Sequence, residues 1–102
     1  MSIELKDYSF EGGFSSTSYL EYKPGIYAIL CRHFEKDQVL DIGEAEDIKT
    51  RIDDHEGSGC WRRNCQSSLV YAALYTPDLN QKKREKIVDE LRDEYSPPCG
   101  SV

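Results

Sequence analysis

Three apolar runs of five to seven residues, at 26–32, 39–43 and 69–75, constrain the fold of this chain more than any other feature. They are rich in Ile, Val, Leu and Tyr and are bounded by turn-forming or polar residues, the pattern of short buried strands. Runs this short fall far below the roughly 20 apolar residues a membrane helix needs. Pro24-Gly25 marks a turn before the first run, and Glu35-Lys36-Asp37-Gln38 is a polar connector to the second. Two strands so closely spaced predict an antiparallel hairpin.

Between the second and third runs the period changes. Ile48 and Ile52 stand four apart among charged residues, which predicts a short amphipathic helix over about 46–55. Gly57-Ser58-Gly59 stops it, and residues 60–67 follow no clear period but allow a short helix around Trp61. After the third run Thr76 is an N-cap candidate and Pro77 suits the first position of a helix. In that helix Ile87, Leu91 and Tyr95 recur every four residues, with Val88 widening the stripe. It must end at Ser96-Pro97-Pro98, because proline cannot continue a helix. Residues 1–23 read as an irregular arm in which Gly12-Gly13 and Ser15-Ser16-Thr17-Ser18 break any period. Phe10, Phe14, Tyr19 and Leu20 are expected to pin the arm onto one domain over 24–102. The order β-β-α-(α)-β-α predicts an α+β fold with a three-stranded antiparallel sheet flanked by helices.

The 102 residues include 19 acids against 13 Lys and Arg, a net charge of −6, with a pI near 4.8. This argues against an obligate polyanion binder, since phosphates are held mainly by Lys and Arg. The charge is segregated, however. Residues 41–56 carry seven acids against Lys49 and Arg51, whereas residues 62–86 carry six bases against Asp78 and Glu85.

Gly25-Ile26-Tyr27 followed by Asp41-Ile42-Gly43 resembles the paired signature of the GIY-YIG nuclease family. In that family an arginine stands eight residues beyond the second glycine and a histidine or tyrosine four further on; here these are Arg51 and His55. The closing Ser96-Pro97-Pro98-Cys99-Gly100 also resembles the family's end, so the likeness runs from about Pro24 to Gly100. It implies an endonuclease-like domain that acts on or binds nucleic-acid phosphodiesters, with Mg²⁺ or Mn²⁺ as cofactor in an active form. The implied catalytic set is Tyr27, Arg51, His55 and Asp41, with Glu44 as a further acid. Arg51 and His55, four apart on one helix, share a face. Tyr27 and His55 suit the positioning or deprotonation of a water, and the planar fork of Arg51 suits phosphate oxygens.

Two positions depart from the family pattern. Asp41 stands where the signature has Tyr, and an aspartate is not a neutral phenolic donor. The family's metal-binding glutamate lies nine residues before the closing proline, which here is Val88. Valine offers no oxygen to a hard cation, and the nearest substitutes along the helix are Glu85 and Asp89. The resemblance therefore implies weak or absent metal-dependent cleavage. A non-catalytic nucleic-acid- or protein-binding module on the same fold is the alternative. Arg62, Arg63, Lys49 and Trp61 are the candidate nucleic-acid contacts. The expected partner is DNA ahead of RNA, bound weakly because Arg51 and His55 lie in the acidic half; no membrane partner is expected.

The N-terminus, Met1-Ser2-Ile3-Glu4-Leu5-Lys6-Asp7, has no basic region followed by an apolar one. This predicts a cytoplasmic chain whose cysteines, Cys31, Cys60, Cys65 and Cys99, are reduced thiols, two disulfides being the alternative. His55, Cys60 and Cys65, with Cys31 or His33, form a minor zinc alternative without CxxC spacing.

Overall fold

The computed structural model describes residues 1–100. The architecture is α+β, as the pattern predicts, but the sheet has five antiparallel strands in the order β1-β2-β5-β3-β4 rather than three. The strands are β1 (Ser2–Leu5), β2 (Tyr8–Phe14), β3 (Gly25–His33), β4 (Lys36–Ala45) and β5 (Ser68–Tyr75). Three helices complete the fold: α1 (Ile48–Asp53), α2 (Ser58–Arg63) and α3 (Gln81–Tyr95). Among the described residues no helix is long and apolar enough to cross a membrane.

The two extra strands correct the expectation of an irregular arm. Leu5 pairs with Tyr8 across a two-residue turn in which Lys6 takes a left-handed φ of 55°. No Asn-Gly or Asp-Gly pair announces that turn, so the hairpin is silent in the sequence. The Gly12-Gly13 pair does not break the strand either. β2 shifts register against β5 between Gly12 and Phe14. A Cβ on Gly12 would meet the Tyr71 carbonyl oxygen at 2.6 Å, so glycine is what lets the two backbones close up here. Phe10, fully buried, carries the hairpin into the core.

Two further boundaries move. His33 pairs with Lys36, so the polar connector shrinks to the turn Phe34-Glu35 and β4 begins at Lys36. The last helix starts at Gln81 rather than beside Pro77. Asn80 is its cap, and the Asn80 side chain accepts from the Lys83 amide at 2.9 Å. The C-terminal stop falls where the prolines require it, with Ser96 in the left-handed region.

Alternation along β3 sorts the core into two layers. Ile26, Ala28 and Leu30 pack with Val88 and Leu91 of α3 on one face. Tyr27, Ile29 and Cys31 pack with Ile48, Ile52 and Trp61 of α1 and α2 on the other. A bulge in β4 lies between the pairs Ile29–Asp41 and Leu30–Val39. The extra residue lets Leu40 and Asp41 both belong to the α1–α2 side, which seats a carboxylate inside that layer.

β4 is an edge strand, and its free carbonyls are covered rather than left open. The Leu40 carbonyl accepts the Cys99 amide at 2.8 Å, and the Ile42 carbonyl accepts Arg92 Nη2. Arg92 Nη1 also donates to the Gly100 carbonyl at 2.6 Å, binding the end of α3 to the segment after it. All four cysteines are paired, Cys31 with Cys65 and Cys60 with Cys99. This corrects the expectation of reduced thiols. The fold brings the paired Cα atoms to 5.5 and 5.9 Å, the span a disulfide needs. The same pairing dissolves the zinc set.

Candidate functional site

Tyr27, His55, Asp41 and Trp61 meet on the α1–α2 face of the sheet. Tyr27 crosses the β3–β4 ladder over Gly43, its pairing partner. A Cβ at Gly43 would overlap the tyrosine ring and hydroxyl. α1 ends at Asp53, short of the expected residue 55, so His55 lies beyond the helix and is buried while Arg51 turns to the surface; contrary to expectation, the two do not share a helical face. The tight turn after His55 brings the Gly57 amide to donate to Nδ1 at 2.8 Å. With Nδ1 an acceptor, the neutral ring carries its proton on Nε2. Nε2 lies 2.7 Å from the Tyr27 hydroxyl and donates to it. That leaves the phenolic proton free for another acceptor.

Asp41 is fully buried beside this pair. Its Oδ2 accepts the Trp61 indole N–H at 2.8 Å and lies 3.8 Å from His55 Nε2. Its Oδ1 has no hydrogen-bond partner and faces Arg92 Nη2 at 3.5 Å. Trp61 is 2% exposed, so its ring is a wall of the site and not a stacking platform for bases. This removes it from the candidate nucleic-acid contacts.

Burial and charge set the protonation states. Burial, then the Asp41 charge, pushes the Tyr27 phenol up to about 12, against a smaller opposing pull from Arg51. Burial, then Arg51, holds His55 below its ordinary value, against a smaller opposing effect of Asp41. Near neutrality the site is therefore a protonated phenol and a neutral imidazole whose one lone pair, on Nδ1, already accepts the Gly57 amide and is not turned toward a reacting group.

Arg51 acts on both groups from α1 but is engaged elsewhere. Its two Nη atoms reach Glu56 at 2.7 and 3.0 Å in a bidentate pair on the surface. That hydrogen bond raises the guanidinium, and it is the largest cause of the Glu56 carboxyl falling to about 2. Tyr27 and His55 are 3% and 8% exposed, so Arg51 is the member of the set that an approaching ligand meets.

The remaining sequence candidates are dispersed. Lys49 is bound to Asp53 at 2.9 Å and lies over the Tyr22 ring. Arg62 and Arg63 are exposed in the last turn of α2. Glu44 is held by Arg84, at 2.8 Å, away from the Tyr27 cluster. Val88 is 8% exposed in the opposite layer of the core, among Ile26, Ala28 and Ile42. It does not face Tyr27. Glu85 and Asp89 point to solvent. The α3 residue that does reach the site is Arg92, which no sequence spacing marks; it reaches Asp41 around the edge of β4.

The divalent metal implied by the resemblance does not fit this donor set. Among the described residues no group of three or more His, Cys, Asp or Glu side chains converges on a point. Asp41, the acid placed inside the site, already faces an indole N–H and a guanidinium. Mg²⁺ requires several oxygens in near-octahedral order. Comparison with known proteins adds no family: no family model, no curated protein and no solved structure matches the chain.

Proposed function

We propose that this chain is a GIY-YIG-type domain that binds a nucleic-acid phosphodiester at Arg51 and cleaves it weakly or not at all. The observation that carries the reading is a partly exposed Arg51 near enough for its charge to act on the buried, hydrogen-bonded Tyr27–His55 pair. A guanidinium fork matches two phosphate oxygens, and Arg51 already holds a carboxylate in that geometry. A phosphate would take the place of Glu56. The Tyr27 hydroxyl, with its proton unspent on His55, could donate to a phosphate oxygen once the site admits one. Binding without efficient hydrolysis is expected from the burial of the pair, the engagement of the imidazole lone pair by the Gly57 amide and the unsuited metal donors. The acidity of residues 41–56 keeps such binding weak and salt-sensitive.

The test is fluorescence anisotropy with labelled DNA and RNA oligonucleotides at low salt. Arg51→Ala is expected to weaken binding about tenfold, the order of one charge-assisted hydrogen bond. Glu56→Gln is expected to tighten it, because the internal competitor for Arg51 is gone. Equal affinity of wild type and Arg51→Ala for every oligonucleotide would refute the reading. Nicking of supercoiled DNA with Mg²⁺ or Mn²⁺, lost in Arg51→Ala, would show that the site is an enzyme after all.

A further inference from the structure

The two cysteines of one disulfide adjoin the two walls around Asp41. Cys60 precedes Trp61, whose indole N–H is bonded to Asp41 Oδ2. Cys99 precedes Gly100, whose carbonyl holds Arg92 against Asp41 Oδ1. Gly100 itself packs on that oxygen so closely that a Cβ there would overlap it. Without the disulfide, the segment 96–100 is held to β4 mainly by the Cys99 amide and Arg92. We propose that the Cys60–Cys99 disulfide is a redox latch: oxidised, it holds the cage around Asp41 shut, and reduction by a dithiol opens it.

The surroundings of the two sulfurs suit exchange. Cys60 is partly exposed, whereas Cys99 is buried. An incoming thiolate therefore attacks Cys60 Sγ, and the S–S bond breaks with its electron pair on Cys99 Sγ. The Asn64 side-chain amide stands 3.6 Å from that sulfur and 3.4 Å from Cys60 Sγ, and donates to the leaving thiolate. The second thiol of the dithiol then displaces Cys60 from the mixed disulfide. Two cysteine thiols form, their protons coming from the dithiol, which is oxidised to its cyclic disulfide. Release of Cys99 frees the 96–100 segment, and release of Cys60 frees α2 with Trp61. The inference does not depend on what the site binds.

Trp61 is the chain's single tryptophan, so its fluorescence reports on the cage alone. Treatment with dithiothreitol is expected to shift Trp61 emission to longer wavelength while the far-ultraviolet circular dichroism is kept. Oxidised glutathione is expected to reverse the shift. The Cys31→Ser/Cys65→Ser variant should respond as wild type does. A Cys60→Ser/Cys99→Ser variant should start shifted and respond no further. Should that variant fail to fold, partial reduction of wild type with alkylation mapping replaces it, and the shift must track alkylation of Cys60 and Cys99. Unchanged emission in fully reduced protein would overturn the proposal. So would a shift that tracks Cys31 and Cys65, or collapse of secondary structure on reduction, which would make the bond a fold staple.

Discussion

Gly43→Ala isolates the contact on which the site's geometry rests. The added Cβ would lie 2.8 Å from Tyr27 Cε2 and closer still to Cζ and the hydroxyl. Both backbones are fixed by the β3–β4 ladder, and β3 is also paired with β5. The Tyr27 ring must therefore leave its place, giving up the bond to His55. Overpacking of this kind costs about 1–3 kcal/mol, which for a domain this size is a fall in Tm of about 5–20 °C. The decisive comparison is a double-mutant cycle by urea unfolding with Tyr27→Val. There the ring is gone, and Ala should exceed Gly at a strand position by up to about 1 kcal/mol. The sign of the substitution should thus reverse between backgrounds. Equal destabilisation in both, or none in wild type, would show that the ring does not rest on Gly43.

Three other outcomes are expected. His55 is held below its ordinary value, so below pH 6.5 the unfolded chain binds its proton first. Stability should fall as pH drops through the window between 6.5 and the folded pKa, then level off; urea midpoints across pH check it, and His55→Gln should remove the slope. Arg84 is 4% exposed and bonded to Glu44 and the Leu79 carbonyl. Arg84→Met should cost about 2–3 kcal/mol by stranding both acceptors, and Arg84→Met/Glu44→Met should recover much of it. Phe34 is 85% exposed at a left-handed φ of 59°, so Phe34→Asn should raise stability by about 1 kcal/mol, read from the thermal midpoint.

What was legible in the sequence was local pattern. The runs at 26–32, 39–43 and 69–75 lie in β3, β4 and β5, and Ile48 with Ile52 forms the buried side of α1. Arg51 and His55 stand four apart near the same turn, and His55 meets Tyr27. The N-terminal hairpin was hidden because Lys6-Asp7 lacks a turn signature and Gly12 looks like a breaker until β5 lies against it. The cysteine pairing was hidden because it depends on where α2 sits against β3 and the 96–100 segment, which no spacing encodes. Arg92 was hidden for the same reason: it reaches Asp41 around the edge of β4, a route set by tertiary packing.

Asp41 ties these hidden features together. A buried carboxylate is costly unless donors surround it, and the bulge in β4 leaves this one no route to water. The fold answers with an indole N–H from α2 and a guanidinium from α3. To deliver Arg92, the end of α3 must fold over the β4 edge; to keep Trp61 in place, α2 must be fixed to the sheet. The Cys60–Cys99 bond joins those two requirements. The same enclosure buries Tyr27 and His55 and favours the neutral imidazole. Only Arg51 keeps a solvent-facing partner, in Glu56. On the proposed reading a phosphate is met first by Arg51, and on the proposed latch its access to Tyr27 and His55 follows the state of the Cys60–Cys99 bond.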